Sequence, residues 1–240
     1  MNGRTSADGY ILTPEQIDTF HKDGCVTLPN VLTEEEVSEI ELIFNRFLNR
    51  EIYVPDKDFC DMSKPFGIPF DQWSIVNCML PTTYHPEFTD NIFERLTAMI
   101  VKQIHLKLDM IMDYDQLLNK RPGKSDAIFP WHQDMGYWPG PKALGGINET
   151  STCTFSLAVD DSTEENGCLR YIPGSGVTRT LRQSGSRDEG HALTIDVDEA
   201  SGDVVTLAPC RRGSVTLHDE FVVHGSSGNM TPVINSDVHM

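Results

Sequence analysis

The chain has 240 residues, 39% of them hydrophobic, and a formal net charge of −17. That apolar content supports a sizeable core and is too high for general disorder. The acidic balance argues against nucleic acid and anionic membrane surfaces as partners. The length suits a single domain spanning 1–240, and no apolar run approaches a membrane-spanning length. The opening "MNGRTSADGY" has no secretory h-region. Cysteines at 25, 60, 78, 153, 168 and 210 form no CxxC pair. Free thiols in a reducing, cytoplasmic setting are therefore expected, rather than a zinc–thiolate site.

From the N-terminus, "LTPEQIDTFHKDG" predicts a helix. Thr13 is its N-cap, Pro14 its first residue, Gln16 completes a capping box and Gly24 stops it. "CVTLPNVL" reads as a short strand. Thr33 and Glu36 form a second capping box, followed by Val37, Ile40, Phe44, Phe47 and Leu48 at helical spacing. The proline-bearing stretch 50–72 reads as loop, and 86–108 as a third helix with Phe93, Leu96, Ile100 and Ile104 on one face. Residues 1–108 are thus expected to be mostly helical.

Beyond Leu108 the pattern changes. Short apolar runs such as "LDMIMDY", "TCTFSLAV", "VVTLAP" and "SVTLHDEFVVH" alternate with Gly, Pro, Asn and Asp. Many closely spaced strands imply a sandwich or barrel over 109–240. The fold class is mainly β with flanking helices. Two glycine-rich loops, 139–150 and 174–190, are candidate lids.

"PWHQDMGYW" (130–138) carries the clearest chemistry. Residues two apart on a strand share a face, so His132 and Asp134 present an imidazole and a carboxylate together. Non-haem iron sites use such a pair plus one distant histidine and leave three positions open. The distant histidine has three candidates, His191, His218 and His224. His191 lies in a polar loop. His218 and His224 are six apart, and spacing alone does not separate them. His224 stands at a strand end before "GSS", whereas His218 suits a strand histidine with a local hydrogen bond.

"PWHQDMGYWP", "LAVDDSTEENGCLRYIPGSG" and "RRGSVTLHDEFVVHGSSGN", in this order, resemble the phytanoyl-CoA dioxygenase (PhyH) family, as does the opening "LTPEQIDTFHKDGCVTLPNVLTEEEV". The resemblance runs from about residue 11 to about residue 232. It implies a double-stranded β-helix (a cupin-like jelly roll) and an Fe(II)- and 2-oxoglutarate-dependent dioxygenase that hydroxylates a small organic molecule with dioxygen. It places the metal ligands at His132, Asp134 and His224. It implies co-substrate contacts for Gln116 and Thr154 and a substrate contact for Trp138, and the Ser226 hydroxyl is a further candidate contact that could recover part of a lost carboxylate interaction. Nothing in it fixes the substrate or the oligomeric state.

The chain departs from that family at its end. The family's arginine for the far carboxylate of 2-oxoglutarate falls ten or eleven residues past the distal histidine, where this chain has Asn235, and no Arg or Lys follows His224. The expectation is that the last core strand is missing. The alternative to an active oxygenase is therefore a truncated or degenerate member that binds metal or a partner without turnover.

Overall fold

The computed structural model describes residues 3–6, 9–137, 151–182, 195, 197 and 202–240. Four helices are described: α1 (Pro14–Asp23), α2 (Glu34–Leu48), the single turn α3 (Pro81–Tyr84) and α4 (Ile92–Ile104). The first two begin where the sequence predicts. The Thr13 and Thr33 side chains accept from the N3 amides, and Gln16 and Glu36 reach back to the cap amides. Gly24 ends α1 at φ 74°, and a β-carbon there would stand 2.8 Å from an Asp219 carboxylate oxygen, so glycine is required twice over. The third predicted helix is shorter than 86–108. Asp90 takes a left-handed φ of 54°, and Asn91 caps α4 by accepting from the Phe93 and Glu94 amides. Residues 86–88 form only a 3-10 turn.

The strands, in chain order, are β1 (Gly3–Ser6), β2 (Gly9–Ile11), β3 (Cys25–Leu28), β4 (Phe59–Cys60), β5 (Ile75–Met79), β6 (Gln116–Lys120), β7 (Phe129–His132), β8 (Cys153–Ala158), β9 (Leu169–Ile172), β10 (Thr206–Leu207), β11 (Val215–Asp219), β12 (Val223–Ser226) and β13 (Asn235–His239). β1 and β2 pair with each other. The others form two antiparallel sheets, one ordered β3-β11-β8-β13-β6-β5-β4 and the other β10-β9-β12-β7. Four central strands of the larger sheet (β11, β8, β13, β6) face the four of the smaller one, which is the jelly-roll arrangement.

Alternation along the larger sheet divides its side chains. Phe155, Leu157, Leu217 and Val238 join Phe44, Phe93 and Ile100 of the helices in one buried cluster. Thr154, Ser156, His218 and His239 fall on the opposite face, toward the smaller sheet. The helices therefore plug the outer face, and the polar residues line the interior.

The sequence-based expectation of a missing last core strand is corrected. β13 lies between β8 and β6 and is hydrogen-bonded to both. Its residues "NSDVH" alternate polar and apolar too weakly to announce a strand, and pairing on both sides supplies what propensity lacks. Two other differences have the same origin. Residues 50–72, read as loop, contain β4 on the sheet edge. The run "LDMIMDY" forms no strand, and Ile111 is 83% exposed, because apolar composition without a paired neighbour leaves the backbone unsatisfied.

The position of β13 is testable by charge placement. Val238 is fully buried against the helices, whereas Val233 is 57% exposed just before the strand. Val238→Asp should destabilise by on the order of 4 kcal/mol in denaturant unfolding, and Val233→Asp by less than about 0.5 kcal/mol. Equal losses would remove β13 from the core.

Candidate metal centre

β7 delivers His132 at its last residue, and the chain then tightens into a 3-10 turn at Asp134–Gly136. Gln133 between them is extended and buried. Its amide donates to the Phe221 and Thr180 carbonyls and accepts from the Arg182 amide, which fixes the bend against the β11–β12 turn. The Met135 amide donates to the Glu220 carbonyl on the same turn. His132 and Asp134 thus share a face, although Asp134 sits past the strand.

His218 and His224 do not lie on one strand. A turn held by Asp219, whose carboxylate accepts from the Phe221 and Val222 amides, separates β11 from β12. His218 therefore comes from the larger sheet and His224 from the smaller. His224 pairs across with His132, and their ring centroids are 4.2 Å apart.

Asp134 Oδ1 lies 3.6 Å from His132 Nε2 and 3.4 Å from His224 Nε2. One donor atom from each of these three residues lies within 4.8 Å of the others. Two cis ligands of an octahedron with bonds of about 2.1 Å stand about 3 Å apart, so a small inward adjustment brings the set to bonding distance. The tautomers suit this. His132 Nδ1 contacts the Pro130 carbonyl at 2.7 Å and His224 Nδ1 the Val222 carbonyl at 3.0 Å. A carbonyl only accepts, so each Nδ1 carries a proton, and in the neutral imidazole each Nε2 is left to present its lone pair to a metal. The donor set therefore fits a divalent metal of the iron type.

The second oxygen of Asp134 is engaged elsewhere. Thr154 donates to Oδ2 at 2.7 Å, and His218 Nε2 lies 3.2 Å from it. Tyr171 OH stands 3.3 Å from His218 Nδ1. Because the carboxylate is an acceptor, His218 donates through Nε2 and accepts the Tyr171 hydroxyl at Nδ1. Burial would raise the Asp134 pKa, but the charge of His224 and the three imidazole hydrogen bonds hold it well below the usual carboxylate range. Burial lowers His218 to about 4, with the nearby His224 adding to the effect, so His218 is neutral. For His224 burial works downward, and the Asp134 carboxylate outweighs it and raises the pKa.

The other expected site residues have specific partners. Thr154, expected to contact the co-substrate, donates its hydroxyl proton to Asp134. Gln116 donates its amide to Asn77. Ser226 is buried and accepts from Lys120 Nζ at 2.6 Å. Trp138, His191 and the lid 139–150 lie outside the described residues, as does 183–190 of the second lid.

Sequence reasoning missed three interior groups. Tyr171 and His239 need the sheet pairing to be seen at all. His239 stands opposite Ser156, with Nε2 3.2 Å from its hydroxyl, and burial beside the other histidines lowers it to about 3. Lys120 had a signal: it lies four residues after Gln116, on the same face of the same strand.

The chain matches the phytanoyl-CoA dioxygenase (PhyH) family over residues 20–234. It is 24% identical over 246 residues to an ectoine dioxygenase of Nocardia farcinica, covering 94% of this chain and 76% of that protein. It is 27% identical over 151 residues to L-proline trans-4-hydroxylase of Streptomyces griseoviridis, covering 56% and 55%. Among solved structures, EvdO2 from Micromonospora carbonacea var. aurantiaca complexed with 2-oxoglutarate is similar with a TM-score of 0.72 at 22% identity, covering 95% of this chain and 89% of that one. EctD from S. alaskensis with bound Fe gives 0.69 at 18%, covering 95% and 75%. At these identities the structural likeness speaks for the fold.

Alanine at His132, Asp134 or His224 should abolish stoichiometric binding of Fe(II) or Co(II) in anaerobic calorimetry. His218→Ala should keep the stoichiometry and weaken binding by roughly 10- to 100-fold, the usual cost of losing a group that orients a ligand. Complete loss with His218→Ala would make it a ligand in its own right.

Proposed function

Because the chain belongs to the phytanoyl-CoA dioxygenase family of Fe(II)- and 2-oxoglutarate-dependent enzymes, we propose that it hydroxylates a small organic molecule, with His132, Asp134 and His224 as the iron ligands. The observation that carries this reading is the convergence of their donor atoms within 4.8 Å, with both ligand imidazoles turned by backbone carbonyls. When bound, the iron and 2-oxoglutarate supply the oxidation of an unactivated C–H bond by dioxygen.

This chain's residues supply geometry and enclosure. Thr154 and His218 hold Oδ2, so Asp134 offers the metal one oxygen and leaves three positions for co-substrate and dioxygen. The buried Tyr171 ring, 6.0 Å from that of His224, helps to exclude water from the centre. No described helix is long and apolar enough to cross a membrane. The six cysteines are free thiols, which supports a cytoplasmic setting as part of the proposal.

A second reading, a member that binds metal without turnover, is favoured by Asp237. It faces the interior, where a dianionic co-substrate would meet its carboxylate.

The purified chain, loaded with Fe(II) under anaerobic conditions and then given 2-oxoglutarate and oxygen, should form succinate. Ectoine and L-proline are the first substrates to try, from the names of the relatives. Asp134→Ala should abolish succinate formation. A wild-type chain that binds iron stoichiometrically and forms no succinate with any substrate would establish the second reading.

A further inference from the structure

Lys120 is 4% exposed and ends β6 on the interior face. Its ammonium donates to the Gly167 carbonyl at 3.1 Å, the Ser226 hydroxyl at 2.6 Å and the Ser227 carbonyl. All three are neutral, and among the described residues no carboxylate makes ion-pair contact with it. A buried ammonium without a counter-charge is costly and is seldom kept unless an anion completes it. Ser226, also buried, accepts from Lys120 while its own proton has no acceptor among the described residues. An unpaired cation beside an unspent hydroxyl donor is what a carboxylate requires.

The position matches a diacid anchored at the metal. Ser226 lies two residues beyond His224 on β12, regularly paired with β9 through both residues, so the two share a face about 7 Å apart. That is close to the span from the keto end to the far carboxylate of a five-carbon 2-oxo diacid. Lys120 stands directly across from Asn235, whose amide is committed to the Asn166 and Gly167 carbonyls. Resting on the proposed function, we propose that Lys120, with Ser226, binds the far carboxylate of 2-oxoglutarate. The cation then comes from β6, the strand beside β13, where the family resemblance implies an arginine.

Asp237 is the competing partner. Burial lowers Lys120 to about 7, and Asp237 is the carboxylate whose charge opposes that shift. Asp237 is itself raised to about 7 by burial, against the pull of Lys120. A structural Lys120–Asp237 pair and a co-substrate site make opposite demands on the same ammonium, and this is what the test separates.

The metal-loaded chain is titrated anaerobically by calorimetry with 2-oxoglutarate and with 2-oxopentanoate, which has the same keto-acid end and no far carboxylate. The wild type should favour 2-oxoglutarate. Lys120→Met should lower its affinity roughly 10- to 100-fold while leaving 2-oxopentanoate unchanged. Ser226→Ala, a smaller change to the fold, should lower it by about threefold to tenfold. Asp237→Asn should tighten 2-oxoglutarate binding. Equal affinity of the wild type for the two acids, or equal loss for both in Lys120→Met, would overturn the Lys120 assignment and leave the iron–2-oxo acid reading standing. The assignment also falls if Asp237→Asn destabilises the chain without changing 2-oxoglutarate affinity. Failure of both acids to bind the metal-loaded wild type would overturn this assignment together with the co-substrate reading on which it rests.

Discussion

The Asp134 carboxylate joins the two sheets. Its Oδ1 faces His132 and His224 of the smaller sheet, and its Oδ2 is held by Thr154 and His218 of the larger one. A buried carboxylate without partners would cost several kcal/mol. Here every direction around it is occupied by a donor or an imidazole, so the cost is offset only when both sheets are in register. The tautomers of His132 and His224, the single oxygen left for a metal and the closeness of β7 to β12 all follow from that arrangement. The hydrogen bonds of Gln133 and Met135 to the β11–β12 turn keep the carboxylate from swinging away.

Local signals were legible and non-local ones were not. Both capping boxes, the Gly24 stop and the apolar face of α2 depend on residues within a turn or two, and the structure has them as the sequence implies. The pairing of His132 with Asp134 was legible because two residues fix a shared face. The partition of His218 and His224 between sheets was not, since it depends on the short Asp219–Val222 turn, which no spacing rule distinguishes from continuous strand. β13 was illegible for the same reason. A strand of mixed polarity between two others is specified by its neighbours' open hydrogen bonds, not by its own composition.

The missing arginine shows what a distance rule can hide. Counting residues past the distal histidine searches one strand, yet antiparallel neighbours directly opposite each other share a face with β-carbons about 5 Å apart. Lys120 and Asn235 are such a pair. A long side chain on β6 therefore reaches the volume that a residue on β13 would otherwise fill, and the barrel interior can exchange which strand supplies a charge. The exchange has a consequence for the rest of the interior. A guanidinium stays charged however deeply it is buried, but an ammonium yields its proton more readily. Lys120 thus needs either Asp237 or an incoming carboxylate to remain a cation. Asp237 on the neighbouring strand is the carboxylate whose charge acts on Lys120 before any ligand enters. On the proposed assignment, a dianionic co-substrate competes with the Asp237 charge for Lys120 or enters with Asp237 protonated, and co-substrate affinity follows from that competition within the barrel.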